Sequence, residues 1–255
     1  MPRILISNDD GIGSPGIRAL AAAMRPLGEV TVVAPDREQS AASHAISLHR
    51  PLRLTEVEPG WWQVDGTPTD AVYLGIHHLM KGSPPDLVVS GINLGANLGN
   101  DVTYSGTVAA AFEGCLFGIP SVAFSLVARA PKHFDAAVRF ARALATRVLD
   151  VGLPEGVLLN VNLPKGEPHG WKVTRLGRRS YGEQVEERLD PWGRSYYWIG
   201  GTETAHADIP GSDCNAVFDE GLVSVTPLHL DLTHAPSVPK IAKWRLDGWE
   251  ARGGA

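Results

Sequence analysis

Cysteine is nearly missing from this chain: Cys115 and Cys214 are the only two in 255 residues. Two thiols so far apart in sequence make neither a CxxC motif, a disulfide framework nor a thiolate metal site, and a reduced, cytoplasmic setting is expected. Basic charge is thin as well. With 23 Lys and Arg against 28 Asp and Glu the formal net charge is −5, and the densest basic pair is Arg178-Arg179. Affinity for a nucleic-acid backbone comes from clustered Lys and Arg that release counterions, so general nucleic-acid binding is excluded. No run of 18 apolar residues occurs, which argues against a membrane-spanning helix. Met1-Pro2-Arg3 passes straight into Ile4-Leu5-Ile6 and then into charge, leaving no apolar core for a signal peptide. Internal repeats and low-complexity tracts are absent too. What is present is 44% hydrophobic and 20% charged residues, the balance of a soluble globular chain long enough for one large domain or two small ones.

Residues 1–165 alternate short aliphatic runs with helical patterns, as a doubly wound, Rossmann-like, mostly parallel α/β sheet does. Arg3 to Ser7, Glu29 to Ala34, Asp86 to Ser90, Ser121 to Leu126 and Val157 to Val161 read as about five core strands. Ser14-Pro15 and Thr67-Pro68 each pair a capping side chain with proline at the first helical position, opening helices to Met24 and Leu79. Further helices are expected over Thr107 to Phe117 and Phe134 to Val148. Leu52 to Thr55 and Trp61 to Val64 read as an inserted β-hairpin. Residues 166–255 read differently, as a β-rich extension ending in a helix over Pro239 to Gly248. Its apolar runs are too sparse for a separate core, so it is assigned to the same domain.

Chemistry concentrates at three places. Asn8-Asp9-Asp10-Gly11 follows the first strand directly, at the carboxyl edge where open α/β sheets place ligands. Asn, Asp and Gly are also ordinary turn formers, so a solvated turn is the plain alternative. Gly11-x-Gly13-x-x-Gly16, with Asp36 at the end of the second strand, matches a dinucleotide-binding pattern and keeps an NAD-dependent oxidoreductase open. Asp9 and Asp10 weigh against that, because like charges about 4 Å apart repel by about 1 kcal/mol in water and about 4 at an effective dielectric of 20. A phosphate can lie beside them only with a cation between, and oxygen donors suit a hard divalent ion.

The second place runs from Ser90-Gly91-Ile92-Asn93 to Asn97, Asp101 and Ser105-Gly106-Thr107. Its glycines and asparagines make a loop more favourable than a helix. The Asn side chains offer carbonyl oxygens to a metal and N–H groups to a substrate. Ser105 to Thr107 open a helix whose unpaired N–H groups form an anion site. The third place is the long polar loop Pro35 to Ser47, which carries Ser40 and His44. His44 is the one histidine of nine in a candidate site loop.

The blocks NDDG, VVAPDREQSAASHAIS, GTPTDAVYLG, VVSGINLGANLGNDVTYSGTVAAAFEG and LVSVTPLHLDLT together resemble the SurE family of survival proteins, over residues 3 to about 233. That family is one of metal-dependent phosphatases of nucleoside monophosphates. The resemblance implies Asp9, Asp10, Ser40 and Asn93 as ligands of one divalent ion per subunit, Mg²⁺ or Mn²⁺, with Asn97 and Ser105-Gly106-Thr107 facing phosphate. It implies hydrolysis of nucleoside 5′-monophosphates in which Asp9 and Asp10 take part, by water attack or through an aspartyl-phosphate. It also implies a homodimer or homotetramer built by exchanging C-terminal elements. A nucleotide sensor without turnover is the non-enzymatic alternative.

Overall fold

Successive residues of the first strand, β1 (Arg3–Ser7), go to opposite faces of the sheet: Ile4 and Ile6 join one hydrophobic cluster and Leu5 another. The structure, a computed structural model, describes residues 1–128, 133–181, 185–199, 204–246 and 249. After β1 come α1 (Pro15–Met24), β2 (Glu29–Pro35), the hairpin β3 (Leu54–Glu58) and β4 (Trp61–Val64), α2 (Pro68–Leu74) with a wide turn to Leu79, and β5 (Leu87–Leu94). Then follow a 3₁₀ turn (Gly99–Thr103), α3 (Gly106–Leu116), β6 (Ser121–Leu126), α4 (Asp135–Val151) and β7 (Val157–Leu163). The remainder holds β8 (Trp171–Val173), β9 (Arg179–Tyr181), β10 (Val185–Leu189), β11 (Ser195–Ile199), β12 (Thr204–His206), β13 (Val223–His229) and the short α5 (Val238–Ile241). The C-terminal helix is thus shorter than the sequence pattern predicts, and residues 247 and 248 lie outside the described ones.

Nine strands form one sheet in the order β3-β4-β2-β1-β5-β6-β7-β13-β8. From β4 to β7 every neighbouring pair is parallel. Counted along the chain these six strands lie as 3-2-1-4-5-6, the order of a doubly wound nucleotide-binding fold, whose crevice opens where the order reverses, between β1 and β5. The sequence pattern predicts about five core strands; the sixth is Trp61–Val64, which joins as a parallel neighbour of β2 while β3 turns back against it. β5 also runs four residues beyond Ser90. Its register against β6 shifts between Ser90 and Asn93 and then resumes, so Asn93 stays in the sheet opposite Ser125.

Helices cover both faces. α1 and α4 pack on one through Ile17, Leu20, Met24, Ala141 and Val148; α2 and α3 pack on the other through Val72, Ala110 and Val108. Each fully buried Ile, Leu or Met contributes about 1.5–3 kcal/mol relative to exposure. The caps form as the sequence specifies. Ser14 accepts from Ile17 N, and Thr67 and Asp70 make a reciprocal capping box ahead of Pro68. These devices fix where α1 and α2 begin, at the same edge as the end of β1.

From the extension, β13 pairs antiparallel with β7, and β8 follows it, so these two strands lengthen the main sheet. β9 with β12 and β10 with β11 form two separate ladders. Every residue of β10 and β11 is exposed. Among the described residues no helix is long and apolar enough to cross a membrane.

Candidate active site

The end of β1 drives Asp9 into the protein. The residue is 5% exposed, and Oδ1 accepts a hydrogen bond from the Thr107 hydroxyl at the start of α3. Gly106 permits the approach: a Cβ there would lie 2.8 Å from Asp9 Cβ and 3.1 Å from Asp9 Oδ2. Burial pushes the Asp9 carboxyl above its ordinary value, against the lowering effect of hydrogen bonds from Thr107. Asp10 is less buried and accepts from Leu94 N of β5 at 3.3 Å. Burial first, and then the neighbouring Asp9 charge, raise its carboxyl to about 6. Glu38 adds repulsion to both.

The loop after β2 comes to the same place. Gln39 N donates to the Asp9 carbonyl at 2.8 Å, which sets Ser40 beside the end of β1. The exposed Ser40 hydroxyl donates to Glu38 Oε1 at 2.6 Å. Ala41 and Ser43 adopt φ of 58° and 54°, a conformation that costs a non-glycine residue about 1–3 kcal/mol and persists where the surroundings over-determine it. Here Ser43 supplies the anchors, donating through N to Tyr104 O at 3.0 Å and through Oγ to Thr103 O at 2.8 Å.

Asn93 lies on β5, next to β1, with its Nδ2 donating to Gly95 O at 2.9 Å, so its carbonyl oxygen remains available. Asn97 is buried and held from three sides. Its N donates to Asn162 Oδ1 (2.8 Å), its carbonyl accepts from Asn160 and Asn162 Nδ2 (2.8 and 3.0 Å), and its Nδ2 donates to Ser125 Oγ (2.8 Å). One amide proton of Asn97 is left for another acceptor. Ser105 caps α3 by accepting from Val108 N at 3.1 Å.

The structure therefore brings Asp9, Asp10, Ser40, Asn93, Asn97 and Ser105 to Thr107 to one edge of the sheet. His44 goes elsewhere. Its Nε2 meets Glu113 Oε2 at 2.7 Å, eight residues along α3 from Ser105, or about 12 Å at 1.5 Å per residue. It pins the loop to the flank of the helix. Asn160, Asn162, Ser125 and Glu113 are site-supporting residues that the motif reading missed. Two asparagines alternating within the apolar run Leu158 to Leu163 were the available signal, since a buried amide in a core strand requires a partner.

The donor set is all oxygen: two carboxylates, a hydroxyl and an amide carbonyl. Among the described residues no three His, Cys, Asp or Glu side chains cluster as a metal site. Among the described residues no basic side chain figures in the groups acting on Asp9 or Asp10. A buried like-charged pair without a counter-charge suits a divalent cation.

Adjacent carboxylates at the reversal point of a doubly wound sheet, facing a capped helix N-terminus, define a phosphate-handling α/β protein. The sequence comparisons narrow that class. The model of the family described as "Survival protein SurE" matches residues 4–183. The "5'-nucleotidase SurE" of Myxococcus xanthus is 61% identical over 97% of this chain and 95% of its own length. That of Geobacter sulfurreducens is 52% identical over 98% of this chain and 97% of its own length. The crystal structure of the SurE protein from Aquifex aeolicus superposes with a TM-score of 0.83 at 44% identity, over 94% of this chain and 98% of that one. The chain belongs to the SurE family.

Proposed function

We propose that this chain is a 5′-nucleotidase that hydrolyses nucleoside 5′-monophosphates with the help of one divalent cation. The observation that carries the reading is the uncompensated Asp9–Asp10 pair set against the N-terminus of α3 at the crevice of the sheet. The high identity to proteins named 5′-nucleotidase over nearly the full chain supports it. Asp9, Asp10, Ser40 and Asn93 would hold the cation. When bound, it supplies charge neutralisation between the carboxylates and the substrate phosphate, and Lewis-acid activation.

The rest is done by the chain. The N–H groups of Ser105 and Gly106 are aligned with a helix dipole and can take the equatorial phosphate oxygens as charge shifts in the transition state, while Thr107 is engaged with Asp9. The remaining Asn97 proton adds a donor whose direction is set by four buried hydrogen bonds to Ser125, Asn160 and Asn162. Thr107 fixes the orientation of Asp9. We assign the exposed apolar residues of the extension, among them Trp192, Tyr197, Trp198 and Ile199, to contacts with a second copy of the chain. Exchange of elements within residues 166–255 would make a homodimer or homotetramer. Two buried, unpaired cysteines agree with a cytoplasmic setting.

The test is release of inorganic phosphate from AMP. Activity should vanish with EDTA, return with Mg²⁺ or Mn²⁺, and be absent in Asp9→Asn and Asp10→Asn. Release that survives exhaustive chelation would overturn the metal-assisted reading; tight nucleotide binding with no release would make the protein a sensor.

A further inference from the structure

The segment from Leu98 to Tyr104 joins Asn97 to Ser105; Leu98 packs beside Cys214 and Val217 at one end, and Ser43 holds Thr103 and Tyr104 at the other. Between them it is held by two buried carboxylates. Asp213, fully buried and donated by the C-terminal extension, accepts from Gly99 N at 2.8 Å through Oδ2. Its Oδ1 accepts from Gly177 N at 2.7 Å and Cys214 N at 2.8 Å. The second carboxylate, Asp101 on the 3₁₀ turn, accepts from Arg179 Nη1 and from the Tyr181 hydroxyl. Arg179 also donates through its backbone N to Asn100 Oδ1 at 2.7 Å, and its guanidinium lies 5.1 Å from the Tyr181 ring centre and 5.8 Å from that of Phe218. The Arg179 and Asp101 side chains are each 11% exposed.

Space is as restrictive as charge. Gly99 has φ of 54°, and a Cβ on it would meet the Gly177 carbonyl at 2.8 Å, so the segment and the extension are in backbone contact. Three consecutive residues, Gly99, Asn100 and Asp101, are thus each tied to the extension. Both ends of this seven-residue span adjoin groups assigned to phosphate, Asn97 before it and Ser105 after it.

We infer that Asp213 and Arg179 are positioning residues for the phosphate-binding half of the active site, acting from the C-terminal extension through Gly99 and Asp101. Three of the four groups assigned to the cation lie outside their reach, because Asp9, Asp10 and Asn93 are set by β1 and β5; Ser40 alone is linked to the segment, through Ser43 at Thr103 and Tyr104. The inference rests on the phosphatase reading for the meaning of the loop, but it makes a separate claim, that phosphate affinity and metal affinity can be uncoupled from the extension.

The experiment uses full-length protein with Asp213→Asn, an isosteric change that reverses a donor–acceptor contact, and Arg179→Lys, which keeps the charge but loses the planar fork. Mn²⁺ affinity is measured by electron paramagnetic resonance and phosphate affinity by inorganic phosphate titration of the Mn²⁺-loaded protein, with circular dichroism to confirm the fold. Mn²⁺ affinity should stay within about twofold. Phosphate should bind about tenfold or more weakly, with KM for AMP rising more than kcat falls, and Arg179→Lys should be milder than Arg179→Ala. Wild-type phosphate affinity in a folded Asp213→Asn and Arg179→Lys would overturn the inference, as would equal losses of Mn²⁺ and phosphate affinity. If Asp213→Asn does not fold, Arg179→Lys carries the test alone. Because both titrations are binding measurements, they remain decisive if the wild type releases no phosphate from AMP, an outcome that would refute only the phosphatase reading.

Discussion

Replacing Gly106 by alanine tests how tightly the start of α3 holds Asp9. The new methyl would lie 2.8 Å from Asp9 Cβ, 3.1 Å from Asp9 Oδ2 and 3.1 Å from Pro68 Cγ, where ordinary contact begins near 3.4 Å. Neither neighbour is the far end of a flexible side chain. Asp9 Cβ is fixed by the backbone at the end of β1, and Pro68 by its ring at the start of α2. The structure must therefore open by roughly 0.6 Å between α3 and β1. Overpacking of this kind costs about 1–3 kcal/mol, while alanine in place of glycine within a helix returns up to about 1 kcal/mol. The net change in stability is about 0–2 kcal/mol, small enough to leave the protein folded. Activity should suffer more, because a displacement approaching 1 Å at a reacting group can cost about 100-fold. A kcat/KM for AMP reduced by about 10- to 100-fold, with a melting temperature lowered by only a few degrees, is the expected result. A variant with wild-type kcat/KM would refute the claim that close contact between Gly106 and Asp9 sets the catalytic geometry.

The same structure sets two further outcomes. In metal-free protein the Asp10 carboxyl sits at about 6, against 3.8 when unfolded, so between those values the folded state binds more protons and stability falls as pH rises. With Asp10 partly exposed and screened, the loss is about 1–2 kcal/mol; denaturant titrations should show it between pH 4 and 6 and show its reversal by Mn²⁺, and a flat profile would contradict the assigned cause. Light scattering at micromolar concentration should give a dimer or tetramer, given the exposed aromatic residues of β10 and β11; a monomer would refute their assignment to an interface.

The legibility of the sequence followed the range of the forces involved. Strands such as Arg3 to Ser7 and helices opened by Ser14-Pro15 and Thr67-Pro68 are specified by local pattern and capping chemistry, and they form where that pattern predicts. Asp9 and Asp10 were visible because their charge density at a strand end calls for a counter-ion. Trp61 to Val64 was read as part of an insertion, since a four-residue strand carries nothing local to say that its partner will be β2. The support of Asn97 was equally hidden. Asn160 and Asn162 stand more than 60 residues away and meet it only after β7 has joined the sheet. His44 shows the opposite case: its placement in a site loop was readable, but the pull of a buried Glu113 on the side of α3 was not.

The reversal of strand order between β1 and β5 has a consequence for the chain as it is made. Asp9 and Asp10 emerge first, yet β5, Asn93 and Thr107 emerge some 80 to 100 residues later, and Asp213 about 100 residues after those. A nascent chain presenting only its first half has the carboxylates without the helix end that receives phosphate, and a chain stopped before Asp213 has that helix end without its anchor. Domains acquire structure as synthesis proceeds, and here the two carboxylates wait for partners that lie about 100 residues (Thr107) and about 200 residues (Asp213) further along the chain.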